Sequence, residues 1–533
     1  MRIIAYILAL AIASQRVLAD TYDVIVIGSG PGGLVAAEYL SRNSSLSVLV
    51  LEAGLPSLAA SGGTDIPSYA ASQGLTRFDI PGEYVGVAFS GNGQYRIGTD
   101  WIASPSPLYL GKVIGGCSSL NGMLYFRPPD SYVSEASWPY DVNSVNQGFA
   151  AIETMFGYTY TPSTDSKWYN QQAYNIMSSV FGSGSYTQTN AINTDRNSKS
   201  KSYGHPPFNI KNGLRDSPAK TFLGAAKARS NFKILSSATV SYIIQAQGKA
   251  SGVVYQYQGQ TITATLSSRG AVVVAGGAAM TPKILIQSGI GPSSQLQMLS
   301  NNANFPGIGG VPSKWAVNEN VGSGLFDTAS VLMTFSRNDM VAFDYSQSQQ
   351  AAIQQYMTQG HTGPWASPDP VMIAYENINL SNRQYQFQVT AFSHGFAGGS
   401  NDFGLALYVN NPLGRDAARF TSDGSYHLDT QHSLYSDTTD RAAMATYLDK
   451  LRGWLSSQGV SQVSPSSGTS STDFVNSKIG GTNHYGGSCY TSSDTSDSKR
   501  CADSSFRVIG TSNIFVADAS LMKTGTVNPF GFI

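Results

Sequence analysis

Charge is what this 533-residue chain has least of: Asp, Glu, Lys and Arg make up 12% of it, against roughly a quarter in ordinary proteins. The 33 basic and 33 acidic residues cancel, and no run of Lys and Arg is long enough to track a phosphate backbone, which argues against nucleic acid as a partner. Histidine is also sparse, with six in all, and His205, His361, His394, His427 and His432 lack metal-ligand spacing, so no metal site is expected. Internal repeats and disordered tracts are missing. The apolar run at residues 3–13 is too short for a bilayer, which needs about 20 helical residues, so no membrane span is expected either.

What remains is a chain with 41% apolar residues, enough for a large core, and a surface that leans on Ser, Thr, Asn, Gln, Gly and Tyr. Its length allows two or three lobes, or one interleaved two-lobe body. Residues 1–19 read as a secretory signal, with Arg2, the apolar run and Val17-Leu18-Ala19 ahead of a cleavage point, so an extracellular location is expected with the mature chain starting at Asp20. In that setting Cys489 and Cys501, which bracket a polar loop, should form a local disulfide, and Cys117, set between glycines and serines, should stay free. Asn43-Ser44-Ser45 and Asn379-Leu380-Ser381 are acceptor patterns for N-glycosylation.

The firmest local signal follows directly. Residues 22–27 form an apolar, β-branched run that suits a strand buried on both faces. Gly28-Ser29-Gly30-Pro31-Gly32-Gly33 comes next, then a helical pattern, then a second apolar strand ending at Glu52. Gly28, Gly30 and Gly33 permit a tight turn and close approach of the backbone to a pyrophosphate at a helix N-terminus, and Glu52 is placed to bind ribose hydroxyls. The unit indicates an adenine dinucleotide without deciding between FAD and NAD. Further on, helical patterning covers 142–181 and 214–228. Strands are expected at 232–235, 239–244, 252–257, 261–266 and 270–275, then at 330–335, 385–392 and 403–409 before a helix at 441–458, and last at 513–517.

Four segments resemble the glucose-methanol-choline (GMC) flavoprotein oxidoreductases. Residues 111–122, GKVIGGCSSLNG, are similar to the family's first signature except at Cys117; residues 277–291, GAAMTPKILIQSGIG, resemble the second; Asn483-His484 and Asp518 with Asn528-Pro529 resemble the catalytic and flavin-contacting segments. The resemblance implies an α/β, two-lobe fold in which a Rossmann-like FAD-binding domain (20–141, 214–320, 475–533) is interleaved with a substrate domain on an antiparallel sheet with helices (142–213, 321–474). The last part is expected to be cut short at Ile533. It also implies His484 as the base that takes the donor's hydroxyl proton, Asn528 as the amide orienting the donor oxygen, and Asn483 and Tyr485 beside the substrate. Gly115, Gly116, Cys117, Asn121 and Gly122 would lie at the flavin ring, Val240 at the adenine, and Asp518 and Pro529 along the rest of the cofactor. Relatives with covalent flavin use a His where this chain has Leu120, so FAD should be noncovalent.

Residues 76–82, TRFDIPG, together with Asn483-His484, are most similar to the flavin domain of cellobiose dehydrogenases. That implies oxidation of a sugar's anomeric hydroxyl to a lactone, with Trp101, Trp138, Tyr84 and Tyr485 as candidate sugar-stacking rings. An oxidase of aryl or small alcohols and a hydroxynitrile lyase that keeps FAD structurally are the alternatives. Oxygen, a quinone or a separate redox protein would take the electrons.

Overall fold

The computed structural model describes residues 21–89, 96–97, 110–309, 311–347, 349–428 and 433–526; the signal-peptide reading, Trp101, His432, Asn528 and Pro529 lie outside them. The architecture is α/β and built on two seven-stranded sheets between which the chain passes back and forth. It enters the first sheet with β1 (Thr21–Ile27), turns into α1 (Pro31–Ser41) and returns as β2 (Val48–Leu51). It then crosses to the second sheet, where α2 (Gln172–Ser183) packs, and comes back as β3 (Phe232–Leu235), β4 (Thr239–Ala246), β5 (Lys249–Tyr257), β6 (Gln260–Val274) and α3 (Gly277–Gln287). A second excursion supplies β7 (Ala329–Ser336), β8 (Pro370–Leu380), β9 (Arg383–Phe392), β10 (Asp402–Val409), α4 (Thr438–Ser457) and β11 (Ser461–Ser464). The final return is β12 (Ile514–Val516).

The first sheet has the order β4-β5-β6-β1-β2-β3, with β12 also paired to β6. Parallel partners flank β1 on both sides, Val24 facing Val48 and Ala271, and this is why its run of Val and Ile is apolar on both faces. Where two strands were expected at 261–266 and 270–275, a single strand of 15 residues forms. Its first half pairs antiparallel with β5 and its second half parallel with β1 and β12. The polar break that suggested two strands is held extended, because Ser267 Oγ donates to Asp23 Oδ1 at 2.7 Å. The helix expected from residue 214 begins only at Thr221, since Leu214–Arg215 pairs with Ile210–Lys211 and Pro218 intervenes.

The second sheet runs β11-β7-β10-β9-β8 and continues into two short strands, Ser202–Gly204 and Thr187–Gln188. Its long pairings are antiparallel. Helices α2 and α4 cover it with Met177 and Phe181 on one and Tyr447, Leu448 and Leu451 on the other, forming one apolar cluster with Phe335, Phe387 and Leu405. Asp437 caps α4 by accepting from the Thr439 and Asp440 N–H groups, both at 2.9 Å. Among the described residues no helix is long and apolar enough to cross a membrane.

Cys489 and Cys501 are joined as a disulfide across a sequence separation of 12, and both are fully buried in the cluster beneath the first sheet. Closing a loop of this size is worth about 3 kcal/mol. Cys501→Ser should therefore lower the thermal unfolding midpoint measurably, and an unchanged midpoint would show that the bridge adds nothing to stability.

Candidate active site

The glycine turn after β1 forms one wall of a cavity of about 830 Å³ that runs to Asn483, His484 and Tyr485. Its glycines are there for different reasons. Gly28 has φ +102° and a Cβ on it would sit 2.2 Å from the Ala275 carbonyl oxygen, while one on Gly33 would sit 2.2 Å from that of Gly28. Those two are demanded by backbone packing. A Cβ on Gly30 would meet no protein atom within 4 Å, so its bare backbone faces open cavity at the N-terminus of α1. A helix start stripped of side chains in this way suits an anionic group such as a pyrophosphate.

Glu52, at the end of β2, lines the same cavity and also holds the turn. One carboxylate oxygen accepts from the Ser29 N–H at 2.8 Å and the Ser29 hydroxyl at 2.7 Å, and the other accepts from the Gly54 N–H at 2.7 Å. Burial pushes its pKa up, and these hydrogen bonds oppose the shift. Glu52 thus has a structural role that the expectation of ribose binding did not include.

The loop of the first signature packs against this turn. Gly115 N–H donates to the Ser29 carbonyl at 2.9 Å, and a Cβ on Gly116 would come within 3.0 Å of Gly30 Cα. Gly116 and Cys117 line the cavity, whereas Gly115, Asn121 and Gly122 stand behind that wall. Asn121 is tied back by the Arg215 guanidinium, which reaches the Asn121 carbonyl at 2.8 Å and its side-chain oxygen at 3.1 Å. Arg215 is only 1% exposed and also donates to the Phe78 and Ser118 carbonyls, so burial lowers its pKa to about 10. Cys117 is exposed onto the cavity, and desolvation by the surrounding wall raises the pKa of its thiol. Val240 on β4 and Asp518, the latter next to Gly32 of the turn, also line the cavity. Asp518 accepts from the Gly277 N–H at the start of α3 at 2.8 Å, and from the Ser520 N–H at 2.8 Å.

At the other end, Asn483 adopts φ +66°, a left-handed bend that Asn tolerates better than most residues. The bend carries the His484 N–H onto Asp327 Oδ1 at 2.7 Å, while the Thr482 N–H reaches Asp327 Oδ2 at 2.9 Å. His484 Nδ1 lies 2.7 Å from Thr482 Oγ1, and no other side-chain hydrogen bond fixes the ring among the described residues. Burial lowers the His484 pKa to about 4 and raises that of Asp327 to about 6, in spite of the donors around the carboxylate. The ring of Tyr408 lies 6.5 Å from that of His484.

Two expectations change. Trp138 is outside the cavity, its ring 5.5 Å from that of Phe506, so it serves packing and not a donor. The segment at 76–82 is a structural turn: Asp79 accepts from Thr76 N–H and hydroxyl at 2.9 and 2.6 Å, and a Cβ on Gly82 would collide with the Trp365 ring. Tyr84 stacks its ring edge toward Gly122 behind the wall. Sequence reading missed Asp327, Thr482 and Lys112, the last a cation on the cavity wall whose charge favours ionised Glu52. A lone acid between Phe326 and the strand-like segment 330–335 was the available signal for Asp327.

The N-terminal GMC oxidoreductase model matches residues 24–328, and the C-terminal one matches 419–531. The dehydrogenase eriK of Hericium erinaceus is 26% identical over 495 residues, covering 79% of this chain and 76% of that protein. The oxygen-dependent choline dehydrogenase of Vibrio vulnificus (strain YJ016) is 25% identical over 311 residues, 54% of this chain and 51% of that one, so the match spans about half of that relative's length. Formate oxidase of Aspergillus oryzae RIB40, in a variant form, is 16% identical and covers 96% of both chains with a TM-score of 0.75, which shows the shared fold. Proteins of this kind bind FAD, and the open backbone at Gly30, the lining carboxylates of Glu52 and Asp518 and the cavity's size fit such a group. With one family model covering more than half of it, the chain belongs to the GMC oxidoreductase family of FAD-dependent enzymes acting on CH–OH donors.

Proposed function

We propose that the protein is a secreted, noncovalently FAD-loaded oxidoreductase that oxidises the anomeric hydroxyl of a sugar, cellobiose or a related oligosaccharide, to a lactone. The observation that carries the alcohol chemistry is His484, a desolvated imidazole on the wall of the cavity that begins at the dinucleotide-type glycine turn. FAD, when bound, supplies the acceptor for the hydride that leaves the donor carbon. The chain's own part is to hold the donor with Asn483 and Tyr485, exclude water, and take the hydroxyl proton at the ring nitrogen of His484 that no described residue engages. Asn528 orients the donor oxygen in this reading. The sugar assignment rests on the likeness of Asn483-His484 and residues 76–82 to cellobiose dehydrogenases. The electrons pass on to oxygen, a quinone or a separate redox protein, and N-glycosylation at Asn43 and Asn379 would accompany secretion.

A second donor class, aryl or small alcohols, is favoured by the position of Trp138 outside the cavity and by the structural role of residues 76–82, which leave Tyr485 as the described lining ring among those named from the sequence. Anaerobic bleaching of the flavin by cellobiose, glucose and benzyl alcohol separates the two. Bleaching by the sugars is expected, and bleaching by benzyl alcohol alone would replace the sugar reading. A flavin that no donor reduces, in a protein that releases cyanide from a cyanohydrin, would instead indicate a lyase.

The acid limb of the reaction should be displaced. A histidine whose pKa is lowered to about 4 stays a neutral base at every pH above that value. The rate of flavin reduction should show a fall as pH drops through about 4, separate from any step near 6 where Asp327 takes up a proton, and the absence of the step near 4 would contradict the desolvated setting of His484.

Glu52→Gln should weaken FAD retention about tenfold or more, because an amide cannot accept from Ser29 and Gly54 together and bonds to a charged acceptor contribute about 1.5–3 kcal/mol. Retained flavin after extensive dialysis measures this, and undiminished retention would remove Glu52 from the cofactor's support.

A further inference from the structure

The reading of His484 as a base leaves open which ring nitrogen carries its proton, and the surroundings of Thr482 decide that. The Thr482 hydroxyl has one hydrogen to donate. Within its reach are two groups that can only accept when Asp327 is ionised: the Thr328 carbonyl at 2.9 Å and Asp327 Oδ1 at 3.2 Å. A hydroxyl that donates to either of them turns a lone pair toward His484 Nδ1, 2.7 Å away, so the short contact is a hydrogen bond only if the ring supplies the proton.

The arrangement is held from several directions. Asp327 is fully buried, and its two oxygens are taken up by the Thr482 N–H, the His484 N–H, the Thr482 hydroxyl and the Tyr435 hydroxyl at 2.9 Å. The left-handed bend at Asn483 puts both backbone donors on that one carboxylate. Among the described residues Asp327, Tyr435, Tyr408 and Tyr485 are the titratable groups around the ring, and Asp327 is the charged one of them.

We propose that Thr482, backed by Asp327, is a positioning residue that fixes His484 in the Nδ1–H tautomer and so presents Nε2 as the basic nitrogen toward the cavity. The inference deepens the base assignment made above and rests on it for its catalytic meaning. When Nε2 takes the donor's hydroxyl proton, the ring becomes an imidazolium holding a proton on each nitrogen. Its Nδ1–H then continues to point along Thr482 toward the Asp327 carboxylate, which offsets part of the cost of charge in a desolvated site.

The tautomer can be read directly. In long-range proton–nitrogen correlation spectra of the FAD-loaded protein labelled with nitrogen-15 histidine, the His484 signal is identified among the six histidines by its loss in His484→Gln. At neutral pH it should show a protonated Nδ1 and a bare Nε2. Thr482→Val should move it to the Nε2–H form or a mixture, and Thr482→Ser should restore the wild-type pattern. A protonated Nε2 in the wild type, or an unchanged pattern in Thr482→Val, overturns the proposal.

Kinetics supply the second readout. The limiting rate of donor-driven flavin reduction should drop about tenfold or more in Thr482→Val with half-saturation unchanged, and recover in Thr482→Ser. Equal limiting rates in Thr482→Val and the wild type would also overturn it. If no sugar or alcohol reduces the wild-type flavin, the base assignment fails by itself, and the tautomer spectra still decide the role of Thr482.

Discussion

The carboxylate of Glu52 is the interaction on which the rest of the site depends. Turns at the ends of parallel strands leave backbone N–H groups with nothing to bond to, and in a protein this poor in charge few side chains can answer them. Glu52 takes up those of Ser29 and Gly54, and with them fixes the spacing between β1 and the segment after β2. The Ser29 carbonyl then receives Gly115, which seats the second glycine loop on the first. Asp518 repeats the device at the start of α3. Two acids, Glu52 buried and Asp518 half-buried, thus set the shape of the cavity's wall, each placed where a strand runs out.

Asp327 does the same work for the opposite end, and there the consequence is chemical. A carboxylate surrounded by donors orders a backbone bend, and the bend delivers an imidazole that has little other support. The contrast between the two ends is one of commitment: at the dinucleotide end the polar groups are consumed in holding glycines, while at the His484 end one ring nitrogen is left unengaged by the described residues.

Most of the first sheet was legible because its physics is local. A β-branched run buried on both faces, a glycine turn and an acid at the next strand's end occur within 31 residues, and each signal reinforces the others. The signature segments were legible by resemblance and not by pattern. What escaped was set by distant pairing. The polar triplet inside β6 looked like a break because its partner, Asp23, lies 244 residues away. Asp327 meets Thr482 across 155 residues, so no window of sequence shows that the two belong together. Trp138 misled for the same reason: an aromatic side chain carries no mark of which cluster it will join.

The order of the strands gives the first sheet a particular history. Strand β12 follows β1 by some 490 residues, counted from Thr21–Ile27 to Ile514–Val516, and only once it is in place does the Ala517 carbonyl come against Gly32. Domains commonly fold in turn as they leave the ribosome. Here neither lobe can do so, because each is interrupted by the other. The β6 edge that β12 fills therefore stays unpaired until both excursions into the second sheet have been made, and the packing against Gly32 waits with it.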